Sequence, residues 1–133
     1  RINYSAGIGK VGMPEGRYLH PILIVFISPL PEAGEQIMEK KAVILKLKRN
    51  LPETDARLKS HHFGNNIAAK MELQTSYPDA EGIFLTKEEY VAEGITSNVF
   101  WVKNGIIYTP SENTENLLGI TRQWLIAIAK RMG

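Results

Sequence analysis

The chain has 133 residues, 44% hydrophobic and 23% charged, which fits a globular protein with a packed core and excludes disordered and collagen-like classes. Its net charge of +2, with Lys and Glu interspersed, argues against a nucleic-acid partner held by a strong electrostatic footprint. There is no Cys to supply disulfides or thiolate metal ligands, and the longest apolar stretch, Pro21 to Ile27, is far short of a membrane span, so a cytoplasmic setting is expected.

In chain order, Arg1 to Gly7 reads as a short strand ending in the turn Ala6-Gly7-Ile8-Gly9. Pro21 to Ile27 is a continuous apolar run rich in β-branched residues and predicts a strand buried on both faces. Ser28-Pro29-Leu30-Pro31 breaks regular structure and reads as an interdomain linker. Ala42 to Lys48 becomes alternating at its end and predicts a half-buried strand, stopped by Asn50-Leu51-Pro52.

From His61 to Leu73 the positions Phe63, Ile67, Ala68 and Met71 have helical spacing and predict one buried apolar face, with Tyr77-Pro78-Asp79 as the stop. Four short strands follow, over Gly82–Leu85, Glu89–Ala92, Asn98–Val102 and Ile106–Thr109. Asn104-Gly105 gives a tight hairpin between the last two. Gly119 to Met132 predicts a helix with Thr121 near its start and Leu125, Ile128, Ala129 and Met132 on one face. The layout is α+β. The chain opens at Arg1, within a strand-like run, and stops after an amphipathic helix, so it is expected to be an internal piece of a longer polypeptide.

Three segments carry candidate chemistry. Lys59, in Arg57-Leu58-Lys59-Ser60-His61-His62, stands just before a helix, where desolvation in a cleft would make its amine a usable nucleophile; a solvated surface lysine is the plain alternative. Glu93, in Ala92-Glu93-Gly94-Ile95-Thr96-Ser97-Asn98, puts a carboxylate beside small hydroxylated residues between two strands; alone, this could be an exposed turn. Gly119-Ile120-Thr121 opens a helix whose free N–H groups and hydroxyl could cradle a phosphate, or could simply be a capped helix start. Together they supply an amine for an imine, an acid for a ring nitrogen and an anion site, the three demands of pyridoxal phosphate. His61 and His62 have no carboxylate at ligand spacing, so no metal is expected and packing against the lysine loop is their expected role.

Leu58-Lys59-Ser60 leading into Asn65-Asn66-Ile67-Ala68-Ala69-Lys70, then Tyr90-Val91-Ala92-Glu93-Gly94-Ile95-Thr96-Ser97-Asn98 and Gly119-Ile120-Thr121-Arg122, resemble the fold-type IV pyridoxal-phosphate family, the class IV aminotransferases. The resemblance implies that Lys59 carries pyridoxal 5'-phosphate and shuttles protons. Glu93 would pair with the pyridine nitrogen, Ile120 and Thr121 would hold the phosphate, Leu117 would pack against the ring, and Thr96 would lie near the phosphate side. It further implies residues 1–28 as the end of a small N-terminal α/β domain, 29–34 as the linker, and 35–133 as the first part of a larger barrel-like domain. A small-molecule substrate and a homodimer are implied, with no nucleic-acid or membrane partner.

Within the family, Tyr4-Ser5-Ala6-Gly7-Ile8-Gly9, Pro29-Leu30-Pro31 and Arg57-Leu58-Lys59-Ser60-His61-His62-Phe63 resemble the aminodeoxychorismate lyases of Gram-positive bacteria. That branch converts 4-amino-4-deoxychorismate to 4-aminobenzoate and pyruvate in folate biosynthesis. An aminotransferase on the same fold is the nearest alternative, and a truncated, non-catalytic remnant is the alternative of another class. The resemblance also places an arginine clamp and a further phosphate contact outside Arg1–Gly133. Glu115 stands where the family carries a glycine, and Phe63-Gly64 stand where it often has a tyrosine, so no residue here is given the ring-hydroxyl role.

Overall fold

The computed structural model describes all residues except Pro31, Ala33, Glu35 and Gln36, so part of the expected linker lies outside the described residues. The chain divides into two compact units, Arg1–Ile37 and Met38–Gly133.

In the first unit, β1 (Ile2–Ser5) pairs antiparallel with β2 (Ile22–Val25) in the register Ile2↔Val25 to Ser5↔Ile22. The Arg1 amino group closes the pair by donating to the Phe26 carbonyl over 2.7 Å. Gly7 leaves β1 with φ +90°, where any Cβ would run into the His20 backbone. All four β2 residues are exposed, against the expected burial on both faces. Apolar, β-branched composition favours the strand, but a two-stranded sheet has no layer of its own to cover it.

The second unit is built on a three-stranded sheet of order β3-β4-β5. β3 (Ala42–Ile44) runs parallel to β4 (Glu81–Leu85), and β4 runs antiparallel to β5 (Val91–Gly94) with a register shift at Phe84/Leu85. The connection from β3 to β4 carries α1 (Gly64–Gln74), as a parallel pair requires. Leu45, Ala69, Leu73, Phe84, Ala92 and Ile95 form the core. Gly82 lies beneath it, where a Cβ would crowd the side chains of Ile95, Leu45 and Leu73.

α1 presents the opposite face from the one its apolar spacing predicts. Phe63, Ile67, Ala68 and Met71 are exposed, while Ala69 and Leu73 are buried with Asn65, Asn66 and Glu72 beside them. Specific polar bonds set this orientation. Asn65 Nδ2 donates to the Lys48 carbonyl, Asn66 Nδ2 donates to that of Ile95, and the Glu72 carboxylate accepts from the amides of Lys46 and Leu47. These bonds satisfy backbone groups beyond the ends of the short strands β3 and β5, which no apolar side chain could do.

β6 (Trp101–Lys103) and β7 (Ile106–Tyr108) form a hairpin whose turn residues Asn104 and Gly105 both have positive φ, as the Asn-Gly pair predicts. Trp101 and Tyr108 stack across it at 5.8 Å. α2 (Ile120–Met132) follows. Its expected apolar face is only half-covered: Ile128 and Ala129 are half-buried, whereas Leu125 and Met132 are exposed and the buried residue is Arg122. Arg122 Nη2 donates to the Pro110 carbonyl over 2.7 Å, tying α2 to the strand exit. No helix among the described residues is long and apolar enough to cross a membrane.

Candidate functional site

A cavity of about 120 Å³ in the second unit is lined by Lys59, Glu93, Thr96 and Leu117, together with Arg49, Arg57, His62 and Asn98. Four of the six residues singled out from the sequence therefore meet on one surface. Ile120 and Thr121 are not part of its lining; both are exposed at the start of α2. The cavity is small beside ordinary ligand pockets of roughly 300–1,000 Å³.

Glu93 lies on β5 opposite Phe84 of β4, in a run where Ala92, Glu93 and Gly94 are all buried. Its two oxygens are held separately. Arg49 Nε donates to Oε1 over 2.8 Å, and the Leu117 amide donates to Oε2 over 2.9 Å. The Arg49 and Glu93 side chains are each 6% exposed, which makes this a buried ion pair.

Arg49 is the residue that sequence reasoning missed. Nη1 of Arg49 also donates to Asn65 Oδ1 over 2.6 Å and to Asn50 Oδ1 over 3.1 Å, and the guanidinium lies 5.1 Å from the Phe84 ring centre. A signal was available. The alternation through Val43, Leu45 and Leu47, all at least half-buried, continues inward to Arg49, so period two places an arginine on the core side.

Arg57 backs this arrangement. Its Nε donates to the Glu115 carbonyl over 2.6 Å and lies 4.0 Å from Glu93 Oε1, and its Nη2 donates to the Asn50 carbonyl. Burial, and then the like charge of Arg49, pull its guanidinium below the ordinary arginine range.

Lys59 is exposed, so the desolvation expected from the sequence does not hold; the segment before α1 is irregular and carries it at the cavity rim. His62 Nδ1 lies 2.6 Å from Glu53 Oε1, and the His61 ring stacks on Phe63 at 5.9 Å. A backbone hydrogen bond first, and His62 second, hold the Glu53 carboxyl below its usual range. Among the described residues no cluster of three or more His, Cys, Asp or Glu could hold a metal.

The approach to α2 is shaped by Asn98. Its Nδ2 donates to the Leu117 carbonyl over 2.8 Å, and a Cβ on Gly119 would run into its Oδ1. The first backbone acceptor in the helix is the Gly119 carbonyl, taken by the Gln123 amide, and no side chain caps the start. The N–H groups of Ile120 and Thr121 thus stand ahead of the helix ladder at the positive end of its dipole.

The residues fit pyridoxal phosphate by the chemistry of the donor set: a lysine amine at the rim, a buried carboxylate with an oxygen lone pair left on each side, and an uncapped helix start beyond them.

The family model described as amino-transferase class IV matches residues 1–133. The aminodeoxychorismate lyase of Bacillus subtilis is 46% identical over all of this chain, which spans 45% of that protein. The branched-chain-amino-acid aminotransferase of Escherichia coli K12 is 28% identical over 95% of this chain and 43% of its own length. Among solved structures, the branched-chain amino acid aminotransferase from Thermobaculum terrenum in its PLP form matches with a TM-score of 0.67 and 28% identity, over 74% of this chain and 32% of that one. A Legionella pneumophila protein with a provisional 4-amino-4-deoxychorismate lyase assignment shares the fold over 98% of this chain and 47% of its own, at a TM-score of 0.78 and 23% identity. The chain spans about half the length of the curated relatives it matches.

Proposed function

The chain belongs to the class IV aminotransferase family, and from that premise we propose that the polypeptide carrying it is a pyridoxal-phosphate lyase converting 4-amino-4-deoxychorismate to 4-aminobenzoate and pyruvate. The observation that carries the reading is the meeting of Lys59, Glu93, Thr96 and Leu117 on one cavity wall. The 46% identity to the Bacillus subtilis aminodeoxychorismate lyase supports the choice of reaction.

Bound pyridoxal phosphate supplies an electron sink for charge developing at the carbon that bears the substrate amine. Lys59 would hold the cofactor through Nζ; once displaced from it by the substrate amine, the freed Nζ would take the proton from that carbon. The C–O bond to the enolpyruvyl group would break as the substrate ring becomes aromatic, and the leaving enol would gain a proton to become pyruvate. Glu93 meets the pyridine nitrogen and keeps a proton on it. Leu117 packs against the ring face and Thr96 lies toward the phosphate. Ile120 and Thr121 hold the phosphate with backbone N–H groups and the Thr121 hydroxyl. The polypeptide works as a cytoplasmic homodimer on a small-molecule substrate, without nucleic-acid or membrane partners. Residues 1–28 end its small domain, 29–34 are the linker, and 35–133 begin the cofactor-binding domain.

Product analysis tests the reaction. The full-length protein, given 4-amino-4-deoxychorismate and cofactor but no keto-acid acceptor, releases equal amounts of pyruvate and 4-aminobenzoate. An aminotransferase, the second reading and the activity named for the Escherichia coli and Thermobaculum terrenum relatives, would turn over only with an acceptor present.

A further inference from the structure

We propose that Arg49 is a positioning residue for the cofactor, acting through Glu93; this rests on the cofactor reading above. A carboxylate removed from water without a counter-ion is costly, and Glu93 is buried. Arg49 supplies the compensating charge at 2.8 Å.

The contact also fixes direction. With Oε1 taken by Arg49 and Oε2 by the Leu117 amide, the carboxylate cannot rotate without losing one of two charge-assisted bonds. Each oxygen has two acceptor sites, so one remains on each for a ring N–H. Arg49 is itself immobilised from three sides: by Asn65 on α1, by Asn50 next in the chain, and by Phe84 on β4 beneath its guanidinium plane.

This set of contacts needs arginine. A planar fork can bond Glu93 and Asn65 together while lying over a ring, whereas a lysine ammonium is a point charge on a flexible stem. The second function of Arg49 is to join two parts of the site. Through Glu93 Oε2 and the Leu117 amide, its position reaches the segment that leads into α2.

The test is a cofactor-binding cycle on the full-length protein, with the dissociation constant for pyridoxal phosphate read from the visible absorbance of the bound chromophore. The variants are Arg49→Lys, Glu93→Gln and the double variant. Arg49→Lys is expected to weaken binding about ten-fold while keeping a cooperative thermal transition, in line with losses seen when partners of a ligating group are removed. In the Glu93→Gln background the same change is expected to add less than about two-fold, because Arg49 acts through Glu93. Unchanged binding in Arg49→Lys, or losses that multiply in the double variant, would overturn the proposal; multiplied losses would mean that Arg49 touches the cofactor or substrate itself.

If Arg49→Lys does not fold, Glu93→Gln is compared with Arg49→Met/Glu93→Gln, which removes both charges of the pair. Equal affinities support the proposal and a further loss overturns it. A wild-type protein that forms no reducible adduct on Lys59 removes the cofactor reading and this proposal together. An adduct with unchanged affinity in Arg49→Lys removes only the role of Arg49.

Discussion

Arg49 Nε donates to Glu93 Oε1 across 2.8 Å with both side chains 6% exposed, so the two charges compensate each other inside the protein. The pair joins the extension of β3 to β5 and, through Asn65, to α1. Its energetic role is asymmetric. Removing one partner leaves the other buried and uncompensated, while removing both does not.

Arg49→Met is therefore expected to destabilise the protein by about 3–5 kcal/mol. Adding Glu93→Gln to it should restore part of that loss. Denaturant midpoints of the single and double variants check this, and a double variant no more stable than Arg49→Met would contradict it.

Glu115 adopts φ +62°, a conformation that favours glycine. Glu115→Gly is expected to stabilise the fold by about 1 kcal/mol through relief of that strain, seen as a higher Tm. The side chain adds a pH dependence. Burial first, and then Glu88, push its carboxyl above the ordinary value of 4.5. A raised carboxyl favours the folded state in its protonated form, so its contribution is present below the unfolded value and is lost as pH rises through the folded one. Glu115→Gln should accordingly gain stability relative to wild type as pH climbs from about 4 to 7, in thermal melts across that range. An equal offset at both ends would contradict the assignment.

Gly119 lies against Asn98, whose amide fixes the Leu117 carbonyl ahead of α2. Gly119→Ala should push that turn away and disturb the N–H groups offered by Ile120 and Thr121. The expected result is a loss of roughly ten-fold, about 1.4 kcal/mol, in affinity for pyridoxal phosphate, with affinity for pyridoxal unchanged. Equal losses for both ligands would show general disruption and not damage to a phosphate cradle.

The sequence makes part of this site legible. Residue chemistry singled out Lys59 and Glu93, the resemblance to a known family added Thr96 and Leu117, and these four, separated by up to 58 positions, line one cavity. The Asn104-Gly105 turn was readable because its positive φ values demand those residue types. The buried face of α1 was not. Apolar spacing marked Phe63, Ile67 and Met71, but Asn65, Asn66 and Glu72 face the sheet because they satisfy its open backbone groups. Hydropathy counts such residues as solvent-facing. Arg49 was passed over for the same reason, although strand alternation pointed it inward. The exposure of β2 was hidden too, since an apolar run reports what a strand prefers and not what covers it.

The central claim is that Lys59 carries the cofactor, and the most direct test is the mass of the full-length protein after pyridoxal phosphate and borohydride treatment. One reduced adduct, mapped to Lys59 and missing in Lys59→Ala, is the predicted result. An adduct on another lysine, or none at all, would contradict it.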